Sequence, residues 1–199
     1  MPSSEGSESP ARAPVRHVLL VHGAWGGAWC WDRVLEPLRQ IGLHAEAIDL
    51  PGHGDSRDPL GDLHGDADAV IARLDAIGEP TLLVGHSYGG MVITGVMDRV
   101  PERIRHVVFL DAAVPDDGMS LWDLFGNNGP RDPSRFVDGF MQVPWVTPDT
   151  KPPHNVKQSI KCFNQPVSYK NPAAKALPVT YVAFVPKDKS AEERAKTDK

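Results

Sequence analysis

The stretch at residues 82–91, LLVGHSYGGM, restricts the fold of this chain more than any other part of its sequence. An apolar run typical of a buried strand ends at Gly85, and helically spaced apolar residues begin at Met91. Ser87 therefore lies between a strand and a helix, in the pattern G-x-S-x-G. Such a turn holds the serine in a strained conformation and leaves no room for side chains two positions to either side. We expect a positive φ at Ser87 and a hydroxyl presented at the carboxyl edge of a parallel sheet.

Strand patterns and helical patterns alternate along the chain. The predicted strands lie at residues 17–23, 44–56 (a strand leading into a glycine-rich loop), 81–86, 105–115 and 179–185. The predicted helices lie at residues 31–41, 63–77 and 91–100. Pro37 predicts a kink or a late start in the first helix, and the capping-box spacing of Ser190 and Glu193 predicts a last one. This order predicts a mostly parallel sheet with helices on both faces.

The periodicity fades between residues 118 and 178, where prolines, glycines and scattered aromatics replace it. So long a stretch is not a plain connection in a compact domain, and its aromatics favour a lid over a site rather than disorder. We therefore expect a core made of residues 15–117 and 179–199, interrupted by a lid at 118–178. Residues 1–14 are polar and rich in proline and serine, which predicts a disordered tail.

The composition narrows the classes of partner. A net charge of −5 over 199 residues argues against a nucleic-acid surface. No run approaches the roughly 18 apolar residues of a membrane helix, and the N-terminal stretch lacks the apolar core of a signal peptide. Cys30 and Cys162 are too few for a disulfide framework, so we expect reduced thiols in a cytoplasmic protein without a membrane partner. The sequence allows a homodimer.

A serine nucleophile needs hydrogen-bond donors for the negative charge that develops on the carbonyl oxygen it attacks. One candidate is the backbone N–H of Tyr88, the residue after the serine. The other is expected from the loop after the first strand, where the N–H of Ala24 follows His22 and Gly23. Two simpler interpretations stay open: Ser87 as a helix cap in a tight turn, and the loop as a glycine-rich turn with packed tryptophans.

Three stretches together resemble the α/β-hydrolase superfamily: VLLVHGAWGGAWCWDRV, AIDLPGHGDS and LLVGHSYGG. They are similar to its branch of small hydroxynitrile lyases and plant-type methylesterases, which has bacterial esterase-like relatives. The resemblance is close over residues 18–115 and loose over 179–185. It implies an α/β-hydrolase fold and the hydrolysis of a small apolar or aromatic ester through an acyl-enzyme, without cofactor or metal. His53, near Asp49 and Asp55, is interpreted as loop structure rather than as part of a metal site.

Within that branch, the cyanohydrin-cleaving lyases carry a threonine where this chain has Gly23. The missing hydroxyl favours ester hydrolysis over lyase chemistry, because such polar contacts discriminate strongly between substrates. A non-catalytic member that keeps the pocket is the alternative from another functional class. The candidate substrate-contacting residues are Gly23, Trp25, Trp122 and Phe125.

Hydrolases of this type place serine, acid and histidine in that order along the chain. Asp111 follows the fourth strand and Asp188 follows the fifth, which is the commoner acid position in the superfamily. Asp111 is favoured, since related chains often have L-D-A-x-x-P at this point. None of the eight histidines follows the last predicted strand, and His154, in the lid, is a poor substitute for the general base. The sequence therefore predicts an impaired hydrolase whose final strand, helix and catalytic histidine lie beyond Lys199.

Overall fold

The computed structural model of the protein describes residues 14–126, 136–145, 147, 150–151 and 153–185. Within them the chain forms eight strands: β1 (His17–Val21), β2 (His44–Ile48), β3 (Thr81–His86), β4 (Ile104–Leu110), β5 (Phe136–Val137), β6 (Phe140–Met141), β7 (Gln158–Ser159) and β8 (Val179–Val182). The α-helices there are α1 (Asp32–Gln40), α2 (Leu63–Ile77), α3 (Gly89–Arg99), α4 (Leu121–Leu124), α5 (Lys161–Asn164) and α6 (Pro172–Lys175). Short 3₁₀ segments precede α1 and β4, at Ala28–Trp31 and Pro101–Arg103.

Five strands form one sheet in the order β2-β1-β3-β4-β8, and each neighbouring pair runs parallel. The predicted parallel sheet is therefore confirmed. β3 lies at its centre, and the register places Val21, the last residue of β1, opposite Gly85 of β3. Because the carboxyl ends of parallel strands meet at one edge, the turn after β1 and the turn after β3 lie side by side.

Helices cover both faces of the sheet, as the alternation of patterns predicts. On one face, Leu19, Leu83 and Val107 belong to a core that also contains buried residues of α2 and α3. On the other face, Val18, Leu20 and Val84 pack with Trp31, Leu35 and Leu38 at and inside α1. Alternate residues of a strand point to opposite faces, so an uninterrupted apolar run supplies both cores.

The helix boundaries follow local signals. α2 begins after Asp62, whose side chain accepts the N–H of Gly65, and ends at Gly78, which has a φ of 73°. α1 begins at Asp32 and continues through Pro37, so the late start that this proline allowed is wrong. Pro37 lies beyond the first turn, where it removes one intrahelical hydrogen bond from α1.

The described part of residues 118–178, the lid segment, contains the antiparallel sheet β5-β6-β7 and the short helices α4 to α6. Two hydrogen bonds close its base: the Gly118 N–H donates to the Val167 carbonyl, and the Val167 N–H donates to the Met119 carbonyl, both at 2.9 Å. Asp98 of α3 accepts hydrogen bonds from the Ser168 hydroxyl and from the backbone N–H of Lys170. The lid segment is thus attached to the core through α3.

At the far edge of the sheet, β8 pairs with β4 alone among the described strands. It is shorter than the predicted strand at 179–185, and its residues are exposed on both faces. The predicted disordered tail and the predicted last helix, apart from residue 14, lie outside the described residues, and so does Asp188. None of the helices in the described ranges is both long and apolar enough to cross a bilayer.

Candidate active site

Ser87 lies on the tight turn between β3 and α3, with a φ of 52°. A Cβ on Gly85 would lie 2.7 Å from the carbonyl oxygen of Gly89, and a Cβ on Gly89 would lie 2.8 Å from the carbonyl oxygen of His22. Neither position can hold a side chain without moving the backbone. The expected positive φ and the expected close approach at both glycines are therefore confirmed.

Ser87 opens onto a cavity of about 410 Å³ between the sheet edge and the lid segment. The walls are mostly apolar, and the lid segment contributes the aromatic rings of Trp122, Phe125 and Phe163. The described residues that line it are Ala24, Trp25, Ser87, Tyr88, Asp111, Ala112, Ala113, Leu121, Trp122, Leu124, Phe125, Met141 and Phe163. Three of the four predicted substrate-contacting residues are in this set.

Gly23, the fourth, lies elsewhere. It packs against the turn at Ser87, and a Cβ at this position would lie 2.9 Å from the Cβ of Ser87 and 3.2 Å from the carbonyl oxygen of His86. The residue therefore supports the turn from behind and is not among the described residues of the cavity wall. The sequence alone could not distinguish a place in the cavity wall from a place behind the Ser87 turn, because a residue directly after β1 can take either.

The two candidate donors for an oxyanion, Ala24 and Tyr88, both line the cavity beside Ser87. Tyr88 is the N-cap residue of α3, whose free N–H groups favour nearby negative charge. Ala24 forms no hydrogen bond with another described residue through its N–H. Trp25, next in the chain, has a φ of 60°, and its N–H is bound by the side chain of Gln158 at 3.0 Å. At this turn the N–H of Ala24, unlike that of Trp25, has no partner among the described residues.

A buried chain of hydrogen bonds connects Tyr88 with the lid segment. The Tyr88 hydroxyl donates to Asp66 Oδ2 at 2.7 Å, and the Cys162 thiol donates to the same oxygen at 3.7 Å. Gln158 donates from Nε2 to Cys162 Sγ at 3.1 Å and accepts the Trp25 N–H at Oε1. The side chains of Tyr88, Asp66, Cys162 and Gln158 each belong to residues that are 1% exposed.

Burial shifts the titration of these groups. Desolvation raises the pKa of Asp66 to about 7, although the hydrogen bond from Tyr88 opposes the shift. Desolvation raises the pKa of Cys162 to about 12, and the nearby Asp66 adds to the effect. The pKa of Tyr88 is raised well above its ordinary value for the same reasons. The thiol and the phenol are therefore neutral donors at physiological pH.

Asp111 stands at the carboxyl end of β4 with a φ of 43°, and it lines the cavity. Its N–H donates to the Val182 carbonyl at 2.7 Å, and its Oδ1 accepts the Phe184 N–H at 3.2 Å. The residue thus ties the end of β4 to the end of β8. The role of triad acid, for Asp111 as for Asp188, stays a prediction.

Among the described residues, no histidine lines the cavity. His22 is held by the carbonyl of Gly23 at Nδ1 and by the Leu50 N–H at Nε2, and burial lowers its pKa to about 4. Burial also lowers the pKa of His86, an effect that the charge of Asp111 opposes. His154 packs edge-to-face against Trp29, with ring centroids 4.2 Å apart.

The glycine-rich loop after β2 is organised by Asp49. Its carboxylate accepts the backbone N–H of Ala28 at 2.6 Å and that of Asp55 at 3.0 Å. His53 is buried, with Nδ1 3.1 Å from the Pro51 carbonyl oxygen. The described part of the chain contains no group of three or more His, Cys, Asp or Glu residues placed to hold a metal ion.

Sequence reasoning missed Asp66, Gln158 and Cys162. A signal exists for Asp66, which stands one residue before Ala67 and three after Leu63 on the apolar stripe of α2. A buried carboxyl on such a stripe needs a partner. No comparable signal marks the other two residues, because the lid segment has no periodicity from which a buried face could be derived.

Comparisons with known proteins give the family. The chain matches the alpha/beta hydrolase family over residues 18–196. A carbendazim-hydrolyzing esterase of Nocardioides sp. (strain SG-4G) is 40% identical over 139 residues, which are 61% of this chain and 52% of the relative. Methyl jasmonate esterase 1 of Vitis vinifera is 38% identical over 112 residues, which are 53% of this chain and 42% of the relative. The matches thus span about half or less of these curated relatives.

Solved structures agree with the architecture. A pyrethroid hydrolase from Sphingobium faniae JZ-2 superposes with a TM-score of 0.64 at 22% identity, over 84% of this chain and 77% of that chain. Polyneuridine aldehyde esterase superposes with a TM-score of 0.63 at 20% identity, over 84% and 79%. At these identities the likeness shows the fold alone. The family match, which extends over most of the sequence, shows that the chain belongs to the alpha/beta hydrolase family.

Proposed function

We propose that this chain carries the nucleophile and the oxyanion hole of a serine carboxylesterase that acts on small apolar or aromatic esters. The observation that carries the proposal is the strained turn at Ser87, which opens onto an apolar cavity directly beside Ala24, whose N–H has no partner among the described residues. Substrate can reach a serine in this place through the cavity. The neighbouring N–H groups can stabilise the negative charge that its attack creates on the carbonyl oxygen.

In the proposed reaction, Ser87 Oγ attacks the ester carbonyl while a histidine accepts the hydroxyl proton. The N–H groups of Ala24 and Tyr88 bind the oxyanion of the tetrahedral intermediate. The histidine then gives the proton to the departing alkoxide, which leaves as the alcohol, and an acyl-enzyme remains on Ser87. Water, activated by the same histidine, hydrolyses the acyl-enzyme. Asp111 or Asp188 orients the histidine in this scheme.

The class of substrate is inferred from the walls of the cavity. The aromatic rings of Trp25, Trp122 and Phe163 favour an apolar or aromatic acyl group, and the volume of about 410 Å³ favours a small molecule. The relatives named as a carbendazim-hydrolyzing esterase and a methyl jasmonate esterase support small esters as the range to test.

Lyase chemistry is less well supported. Gly23 lacks the hydroxyl that the lyases of the resembling branch use, and a Cβ at this position would lie 2.9 Å from the Cβ of Ser87. A threonine could enter only if the turn moved. Ester hydrolysis therefore remains the better proposal.

A non-catalytic binding protein is the second candidate, because no described histidine lines the cavity. The test compares this chain with one extended by a C-terminal strand that ends in Gly-His, on a chromogenic acetate ester. We expect the 199-residue chain to be nearly inactive, and the extension to restore turnover that Ser87→Ala abolishes. Binding of ester without turnover in the extended chain would favour the second candidate. Turnover by the short chain that His154→Ala removes would mean that His154 acts as the base.

We also propose a cytoplasmic location. The free thiols of Cys30 and Cys162 support it, since disulfides form and persist in oxidising compartments. Fractionation of cells that express the protein from its own gene tests the location directly.

A further inference from the structure

Two turns with positive φ at a non-glycine residue border the candidate oxyanion hole. Trp25 has a φ of 60° and directly follows Ala24, and Ser87 has a φ of 52° and directly precedes Tyr88. Such conformations are strained and persist only where the surrounding structure holds them. The contacts that hold these two turns therefore decide where the N–H groups of Ala24 and Tyr88 point.

The buried hydrogen-bond chain reaches both turns. At one end Gln158 accepts the backbone N–H of Trp25, and at the other Asp66 accepts the hydroxyl of Tyr88. Cys162 joins the two ends, since its sulfur accepts from Gln158 and its thiol donates to Asp66. Along this path the Trp25 N–H donates to Gln158, Gln158 donates to Cys162, and both Cys162 and Tyr88 donate to Asp66.

The members of the chain come from separate parts of the fold. Asp66 belongs to α2 in the core, whereas Gln158 in β7 and Cys162 in α5 belong to the lid segment. All three are 1% exposed, so a broken link leaves a buried polar group without a partner. Movement of the lid segment away from α2 would break the link at Cys162 and release the Trp25 N–H.

We propose that Asp66, Cys162 and Gln158 are positioning residues that hold the two oxyanion-hole turns in place and make their geometry depend on the docking of the lid segment onto α2. This inference rests on the proposed function, because the two turns form an oxyanion hole only if the protein is an esterase of the proposed kind. It assigns these residues no contact with the substrate.

The most informative variants act at Cys162, which links Gln158 to Asp66 and also lies beside the side chain of Tyr88. Cys162→Ala removes both of its hydrogen bonds, and Cys162→Ser keeps a donor and an acceptor. Asp66→Ala and Asp66→Asn form a second pair, in which the amide oxygen of asparagine can still accept from both Tyr88 and Cys162. Asp98→Ala is the matched control, because Asp98 also holds the lid segment but contacts Ser168, Lys170 and Asn171 instead.

Hydrogen exchange of the backbone, resolved by peptide, provides a readout that needs no catalytic turnover. We expect Cys162→Ala and Asp66→Ala to speed exchange about tenfold around both Trp25 and Tyr88, the factor for one lost buried hydrogen bond of about 1.4 kcal/mol. Cys162→Ser and Asp66→Asn should recover most of the protection. Asp98→Ala should speed exchange around residues 168–171 alone.

Several results would overturn the inference. Unchanged exchange at Trp25 in Cys162→Ala is one, and equal loosening of both turns in Asp98→Ala is another. If Asp66→Ala does not fold, judged by circular dichroism, the Cys162 pair decides the question alone.

Kinetics separate this inference from the proposed function. In the extended chain with its histidine, Cys162→Ala should lower kcat about 10- to 100-fold and leave KM within about twofold, because misplaced oxyanion donors act on the transition state. A fall confined to KM would overturn the positioning role. Absence of any Ser87-dependent turnover, together with the expected exchange pattern, would overturn the esterase proposal and leave the coupling between the turns and the lid segment standing.

Discussion

Two strands of the same sheet, β3 and β8, have apolar sequences of similar kind and very different surroundings. Leu83 and Val84 of β3 are 0% and 7% exposed, whereas Val179 and Val182 of β8 are 48% and 40% exposed. β3 lies between two strands with helices over both faces, and β8 pairs with β4 alone among the described strands. An apolar run thus predicts a strand without predicting how well it is covered.

The same comparison shows where the candidate active site lies within the sheet. The strained turn that presents Ser87 comes directly after β3, the best supported strand, and not after β8. A turn with positive φ at serine is maintained only where packing on all sides resists relaxation. The centre of the sheet therefore supplies the rigidity that the proposed nucleophile needs, and the exposed edge at β8 does not.

The largest expected effect tests whether that edge contributes to catalysis. In the extended chain, asparagine at the acid that orients the histidine should lower kcat about 10⁴-fold, because the histidine then adopts the wrong tautomer. We expect this loss for Asp188→Asn. The carboxylate of Asp111 already accepts the Phe184 N–H, and asparagine can keep that bond. This expectation reverses the preference drawn from the sequence alone.

Steady-state turnover of the two asparagine variants, with Ser87→Ala as the floor, provides the measurement. A 10⁴-fold loss in Asp111→Asn and a small change in Asp188→Asn would restore the preference for Asp111. In that case Asp111 would both orient the histidine and join the end of β4 to the end of β8.

The second largest expected effect concerns the buried carboxyl group of Asp66. Burial raises the pKa of Asp66 to about 7 from an ordinary value of 3.8, against hydrogen bonds from Tyr88 and Cys162 and with added repulsion from Asp62. Between about pH 4 and pH 7 the folded state therefore binds more protons than the unfolded chain, so stability falls as pH rises. Asp66→Asn removes this loss, and we expect its free energy of unfolding to rise relative to wild type by about 4 kcal/mol between pH 4 and pH 8.

Urea denaturation at a series of pH values measures that difference. His22 has an opposite effect, because its pKa is lowered to about 4 and stability rises with pH as the unfolded chain loses its proton. Since His22 is present in both proteins, its contribution cancels in the difference. A difference that stays constant from pH 4 to pH 8 would show that Asp66 does not titrate in this window.

A matched substitution compares the two strands directly. Val84→Ala in β3 should lower the free energy of unfolding by about 2 kcal/mol, through lost burial and a residual cavity. Val179→Ala in β8 should lower it by less than about 0.5 kcal/mol, since nearly half of that residue is exposed already. Thermal or urea denaturation of both variants gives the comparison. Equal losses would show that β8 is covered in solution by something outside the described residues.

The smallest effect concerns association. The outer edge of β8 has no strand partner among the described residues, and such edges pair with other chains. We expect Val179→Lys to reduce self-association in sedimentation experiments while changing stability by only a few tenths of a kcal/mol. An unchanged monomer population at all concentrations in both proteins would remove the case for a homodimer through this edge.

Local sequence patterns were enough to predict the turn at Ser87, the parallel strands, the helices on both faces and the aromatic walls of the cavity. Each of these depends on neighbouring residues: an apolar period of two or 3.6, or a glycine where a side chain would clash. The positive φ at Ser87 could be predicted because residues within two positions of it require that turn.

The strand order, the place of Gly23 behind the turn, and the chain that joins Asp66 to Cys162 became known only from the folded molecule. Asp66 and Cys162 are 96 positions apart, and no local pattern relates them. The lid segment lacks the periodicity that would show which of its side chains are buried. Their meeting depends on how the lid segment docks on α2, and docking is set by long-range packing, which sequence periodicity does not encode.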